Sequence, residues 1–489
     1  MTGKKIRSFI TDYSTNRMLK EQKELYLQKD KPGYRAEEAC LFNIYDQVHY
    51  QRIEGFGGAM TQASAQNLLK LDRQEQEKIM ESYFDCEKGI GYSLCRTTIN
   101  SCDFSSEFYS YDDTPEDWEL KNFSVEHDEK DVIPMVKKAL AINGELKLFS
   151  SPWSPPGWMK TNGRMDKGGY LRKECYQVWA DYFVRFLQEY QKEGISVWGV
   201  TAQNEAHAEM GWESCYYTSA QEREFVRNYL KPALKKAGMD DKKVFFWDHN
   251  KERAFDRAMD MYAENLGGEA PDGMAVHWYV GDHFGALDAF HERYPDKLIL
   301  GTEACVGTEP KRNYDAGEKY AHDIIGDLNH WACGWVDWNM ILSNEGGPDH
   351  WREEQKVFCR KYAQQINGEY KLSEIEETFL LPCIKTGIWT GEAPIVVNHE
   401  TGKIRFQSTY YYIGHFSRFI RPGAVRIASS VYTDKLETAA FLNPNGQIVA
   451  VVLNRQGEEQ RMIIRYHDQI AETKIPGHSI VTYLLERAE

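Results

Sequence analysis

Two glutamates each close a run of apolar residues. Glu205 ends Trp198-Gly-Val-Thr-Ala-Gln-Asn-Glu205, and Glu303 ends Leu298-Ile-Leu-Gly-Thr-Glu303. A charged group at the end of a buried strand either forms an ion pair there or performs chemistry. Two carboxylates brought to one place suit hydrolysis of a glycosidic bond. One acts as nucleophile and the other as acid/base, and a retaining mechanism holds them ~5–5.5 Å apart. Their proton affinities must differ, since one is ionised while the other carries a proton. Asn204, next to Glu205, is a neutral donor and acceptor suited to a sugar hydroxyl.

Such a pair needs a scaffold that aims strand ends at one point. Short apolar runs at Ile53–Phe56, Tyr92–Ile99, Leu146–Ser151, Val197–Gln203, Val244–Asp248, Met274–Trp278, Leu298–Thr302 and Gly334–Trp338 read as strands. Amphipathic stretches at Gln66–Tyr83, Lys130–Ile142, Glu174–Glu193, Gln221–Ala237 and Lys251–Asn265 read as helices between them. Strands that are apolar throughout and separated by helices imply a parallel sheet covered on its outer face. The series predicts an α/β fold, a (β/α)8 TIM barrel in which Glu205 follows the fourth strand and Glu303 the seventh, where such barrels keep their active sites. From Val425 onward only strand patterns remain, with a turn signal at Asn443-Pro-Asn-Gly446. The first fifty residues also lack a long helix. Free edges invite aggregation, so head and tail strands are expected to pair. The predicted division is residues 1–50 as N-terminal strands of a β-sandwich, 51–423 as the barrel with an unusual insertion at about 352–392, and 424–489 as the rest of the sandwich.

Composition narrows the field. The 489 residues carry a net charge of −15, which argues against nucleic-acid binding. No apolar run approaches the ~18–20 residues of a membrane span. Aromatic residues are abundant, with 13 Trp, 29 Tyr and 22 Phe. The 10 Cys show no CxxC pair and no zinc spacing, so they read as buried free thiols and no metal is expected. The start, Met-Thr-Gly-Lys-Lys-Ile-Arg, lacks the apolar stretch of a signal peptide, which makes the cytoplasm the default location. Gly55-Phe-Gly-Gly-Ala-Met60 has Met where a dinucleotide fingerprint needs its third Gly. No Walker loop, His-Glu-x-x-His or Gly-x-Ser-x-Gly motif occurs, so no cofactor is expected.

Asn204-Glu205, Glu303-Ala-Cys-Val-Gly307 and Gly55-Phe-Gly-Gly-Ala-Met60 together resemble glycoside hydrolase family 30, its glucosylceramidase branch most of all. Further motifs follow in order: Ser101-Cys-Asp-Phe-Ser105, Ser151-Pro-Trp-Ser-Pro155, Lys160-Thr-Asn-Gly163, His277-Trp-Tyr279, Trp335-Val-Asp-Trp-Asn339, Glu345-Gly-Gly-Pro348 and Tyr412-Ile-Gly-His-Phe-Ser417. The resemblance implies a retaining β-glycosidase on β-D-glucosides, with Glu303 as nucleophile and Glu205 as acid/base. It implies that Asn204 holds the sugar 2-hydroxyl, Tyr279 hydrogen-bonds the nucleophile, and Arg96 supports it electrostatically from below. Asp103, Trp153 and Trp338 would line the sugar subsite, and His277 reads as a packed structural histidine. Ala206 stands where the family usually has Pro, which removes a fixed φ but no catalytic group. Alternatives within the family are β-xylosidase, β-fucosidase and β-1,6-glucanase; a barrel that binds carbohydrate without cleaving it is the alternative of another class. The partner implied is a carbohydrate or glycoside, with oligomeric state left open.

Overall fold

The computed structural model describes residues 4–30, 40–263, 267–307, 312–350 and 391–487. Eight parallel strands close into a barrel: Gly55–Ala59, Leu94–Ile99, Lys147–Pro152, Gly199–Thr201, Lys243–Asn250, Gly273–His277, Leu298–Glu303 and Ala332–Asn339. They are called barrel strands one to eight below. Every predicted strand is present, and the first is shifted. Ile53–Phe56 was the apolar run, but pairing with strand eight joins Gly55–Gly58 to Gly334–Asp337. A Cβ on Gly57 would lie 1.8 Å from the Leu94 carbonyl oxygen, so strands one and two approach too closely there for any side chain. The glycines of this motif thus serve barrel closure. The interior is filled by Leu94, Phe149, Phe245, Ala275, Leu300, Cys333 and Val336, bulky side chains that make it a packed core.

Gln66–Tyr83 is two helices, Gln62–Leu69 and Arg73–Phe84, rather than one. Asp72 accounts for the break: its side chain accepts the Glu75 N–H as an N-cap, which starts a new helix. The fourth strand is the shortest, because the chain leaves extended geometry to present Asn204 and Glu205, the latter at φ 48°. Most of the insertion expected at about 352–392 falls outside the described residues.

The β-sandwich draws on both ends of the chain. Lys5–Asp12 runs antiparallel to Ser479–Glu486, and Leu41–Arg52 antiparallel to Val425–Val431. The alternation of the tail strands has a use on each face. Ala440, Leu442, Ile448, Ala450 and Val452 fill the sandwich core, whereas Ala439, Phe441, Val449, Val451 and Leu453 join the hydrophobic cluster that surrounds the barrel. A sheet buried on both faces binds its neighbour through apolar area. His415, from the Tyr412–Ser417 motif, exchanges hydrogen bonds with Thr11 and Thr482 at 2.9 Å each. Burial pushes that imidazole down to about 3, so it joins barrel to sandwich as a neutral group.

Candidate active site

Arg96 is the hub on which the strand ends converge. It sits on strand two, fully buried, and its guanidinium spans the barrel. Nε donates to Ser151 Oγ at 3.0 Å, Nη1 to Glu303 Oε2 at 2.7 Å, and Nη2 to Asn204 Oδ1 at 2.9 Å and Asp248 Oδ2 at 2.7 Å. One planar fork therefore fixes side chains from strands three, four, five and seven, which a lysine could not do.

Asp248 was not anticipated. It closes strand five just as the two glutamates close theirs, and that same signal could have marked it. Its Oδ2 also accepts Thr201 Oγ1 at 2.6 Å, while Oδ1 accepts Thr302 Oγ1 at 2.6 Å and pairs with His277 Nε2 at 3.0 Å. Trp247 and Asp248 have φ of 72° and 44°, at a bulge between Trp247 and His249. Bulges re-aim side chains, and left-handed backbone at non-glycine residues persists where its surroundings hold it. Burial opposes the Asp248 charge, yet Arg96 and His277 outweigh it and hold the carboxyl well below the usual range.

His277 is packed, as its sequence context implies, but it is not inert. Its Nδ1 lies 3.3 Å from Glu205 Oε1, and Asp248 sits behind Nε2. Burial works against the imidazolium; the charge of Glu303 and the hydrogen bonds to Asp248 and Glu205 win and push it up to about 9. A group whose pKa is raised on folding stabilises the fold fully below its unfolded value and loses that contribution as pH rises through the folded value. His277 is accordingly expected to contribute about 3 kcal/mol that disappears between pH 6.5 and about 9. Urea unfolding across that window, compared between wild type and His277→Gln, checks this: the variant should lose the slope, and an identical slope rejects it.

Glu303 accepts Tyr279 O–H at 2.7 Å on Oε1, opposite the Arg96 contact on Oε2. The ligating atoms of Glu205, His277 and Glu303 lie within 4.8 Å of one another. That spacing would admit a cation, but Arg96 and Tyr279 already fill the Glu303 oxygens and Asp248 holds His277. Burial and the facing Glu205 charge raise Glu303, while at Glu205 burial is outweighed by the His277 cation, which lowers it.

Two indoles pack against the Arg96 guanidinium beside the pair. Trp153 and Trp338 stack at 4.8 Å, and Arg96 lies 4.6 Å over the Trp153 ring. Asp103 Oδ1 is buried without a hydrogen-bond partner among the described residues. Burial, then the charges of Glu303 and Glu213, hold its carboxyl well above the usual range, which favours a neutral acid able to donate as well as accept. Asn204 commits its oxygen to Arg96, and its Nδ2 has no hydrogen-bond partner among the described residues. Glu213 was also missed: it is buried, accepts the Ser101 hydroxyl on Oε1, and pairs with His350 Nε2 at 3.2 Å. It lies in an irregular loop, where no periodicity could have marked it. Ala206 is buried, and its carbonyl accepts the Tyr217 N–H at 2.8 Å, which orders the loop without a proline.

Residues 53–357 match the family described as "Glycosyl hydrolase family 30 TIM-barrel domain", and residues 423–483 match "Glycosyl hydrolase family 30 beta sandwich domain". Lysosomal acid glucosylceramidase of Mus musculus is 34% identical over 475 residues, covering 93% of this chain and 85% of that protein. Endo-1,6-beta-D-glucanase BGN16.3 of Trichoderma harzianum is 26% identical over 459 residues, covering 89% of this chain and 84% of that one. The crystal structure of SrfJ from Salmonella typhimurium superposes with a TM-score of 0.87 at 32% identity, covering 99% of this chain and 100% of that chain.

Proposed function

Because the chain belongs to glycosyl hydrolase family 30, and is therefore a glycoside hydrolase, we propose that it is a retaining β-glycosidase acting on β-D-glucosides, with Glu303 as nucleophile and Glu205 as acid/base. The observation that carries this reading is the separation of the pair. Oxygens of Glu205 and Glu303 lie within 4.8 Å, close to the ~5–5.5 Å of double displacement and short of the ~6.5–9.5 Å that leaves room for an attacking water.

Roles follow from the donor sets. Glu303 faces two donors at 2.7 Å, Arg96 and the Tyr279 hydroxyl, whose charge-assisted bonds favour its anion and oppose the rise imposed by burial and the Glu205 charge. Glu205 has His277 at 3.3 Å as its hydrogen-bond partner, so a proton shared by the pair can pass from it to a leaving oxygen. A coupled pair titrates as one unit, and bound substrate decides which oxygen releases the proton. Glu303 attacks the anomeric carbon as Glu205 protonates the departing oxygen, giving a glycosyl ester. Glu205, now ionised, takes a proton from water, which opens the ester and restores Glu303. Charge stays balanced: Arg96 and His277 face Asp248 and ionised Glu303 before the step, and Asp248 and ionised Glu205 after it. Asn204 Nδ2 would hold the 2-hydroxyl, a contact that strengthens in the transition state.

The relatives' names, a glucosylceramidase and an endo-1,6-β-D-glucanase, share a glucosyl unit, which supports glucose as the sugar. An apolar pocket separates sugars that differ by one hydroxymethyl by only about 10–200-fold, so aryl β-D-xylosides should be cleaved more slowly by that order. Proton NMR of early turnover on an aryl β-D-glucoside should show the β-anomer first and the α-anomer only by mutarotation. An initial α-product would overturn the retaining assignment, and faster xyloside turnover would overturn the sugar.

A further inference from the structure

Helix Asp315–Asn329 of the barrel, Phe284 and the sandwich strands Leu41–Arg52, Val425–Val431 and Glu437–Leu442 line an open surface cavity of ≈ 460 Å³ that shares no residue with the active site. We propose that this cavity binds a small oxyanion, a carboxylate or a phosphate, on the guanidinium of Arg426.

Arg426 lines the cavity and is 8% exposed. Its hydrogen bonding among the described residues is confined to Nε, which donates to Gln51 Oε1 at 3.0 Å. The guanidinium lies 3.8 Å over the Tyr50 ring and 5.5 Å from that of Trp331. It forms no ion pair among the described residues. A buried charge without a counter-charge is costly, and burial pulls this one down to about 10. Tyr50 and Asp288 are the groups whose charge acts on it favourably, and Asp288 is already held by His330 Nδ1 at 2.7 Å.

The remaining charges around the cavity are neutralised in pairs. Glu437 takes His322 at 2.6 Å and Arg455 at 2.6 Å, and His322 reaches Asp282 at 3.1 Å through its other nitrogen. Arg426 is left as the open cationic fork, and two parallel N–H groups match the oxygens of a carboxylate or phosphate. The aromatic faces argue against a neutral sugar. Tyr50 is covered by Arg426, and Phe284 has His330 stacked at 5.3 Å and Lys251 at 4.8 Å.

Inorganic phosphate and acetate, titrated separately at constant ionic strength against chloride, separate the two chemistries. One of them should raise the melting temperature saturably by about 2 °C, as a ligand that binds only the native state does, with hydrolysis of an aryl β-D-glucoside unchanged. Arg426→Gln should lose that response and keep kcat. Ala428→Asp, on the cavity wall and two residues from Arg426 on the same face of the strand, supplies an internal carboxylate, so it should melt higher than wild type without added anion and fail to respond to either one. It decides the matter if Arg426→Gln does not fold. No saturable response in the wild type, or an undiminished one in Ala428→Asp, overturns the proposal.

Discussion

Replacing Glu303 by Gln is expected to lower kcat on an aryl β-D-glucoside by roughly 10⁴–10⁶-fold, the scale seen when a nucleophile acting within a catalytic unit is removed. The amide keeps the volume of the carboxyl, so its neighbours stay packed, but it cannot form the glycosyl ester. It also turns an N–H towards Arg96 or the Tyr279 hydroxyl, each of which donates at 2.7 Å in the native protein. Glu205→Ala should behave differently. An aryl leaving group needs little protonation, so ester formation continues while its hydrolysis stalls for want of a base. Azide attacks without general base assistance, so it should restore turnover and give the β-glycosyl azide. The two roles are exchanged if Glu303→Gln is the variant that azide rescues with formation of the β-glycosyl azide; an α-glycosyl azide from it fits direct displacement in place of the missing nucleophile. Near wild-type turnover by Glu303→Gln removes the mechanism altogether.

The features legible in the sequence are those that obey a local rule. Strand runs buried on both faces are mostly apolar, so Leu298–Thr302 could be read directly, and each glutamate stood out as the charge that ended such a run. Gly55–Ala59 escaped because glycines have no apolar signature; their position answers to the Leu94 carbonyl of the neighbouring strand, a contact between residues far apart in sequence. The break at Asp72 was concealed by helical periodicity on both sides of a cap. Among the site residues, Asp248 obeyed the same rule as the glutamates and was absorbed into the end of its strand. Glu213 and His350 could not be paired in advance, since nothing in either loop encodes their 3.2 Å contact. His277 shows a further limit. Its burial was legible, but its charge depends on Asp248, Glu205 and Glu303, which three other strands deliver.

That dependence makes Asp248→Asn the most informative change outside the glutamates, and it is expected to cost about 10²–10³-fold in kcat/KM, the scale of a small misplacement of reacting groups. Asp248 never reaches the sugar; it is a positioning residue. Its oxygens receive Arg96, Thr201, Thr302 and His277. An amide accepts on one side only, so either Arg96 and Thr201 or His277 and Thr302 meet a donor where an acceptor stood. Arg96 also keeps Glu303 and so resists displacement. His277 yields instead, by giving up its second proton and accepting from the new amide. The loss of that cation then reaches both glutamates, because its charge lowers Glu205 and Glu303 alike. The acidic limb of the kcat/KM profile, which reports ionisation of the nucleophile, should therefore move up by about one unit. A merely structural role would lower the rate and leave that limb in place. Destabilisation of about 3–5 kcal/mol accompanies the loss of one partner from a buried charge network, so activity is to be measured well below the variant's melting temperature. Adding His277→Gln should then cost little more, since residues in one network are not additive. A rate within tenfold of wild type together with an unmoved acidic limb would show that Asp248 does not set the charge of His277.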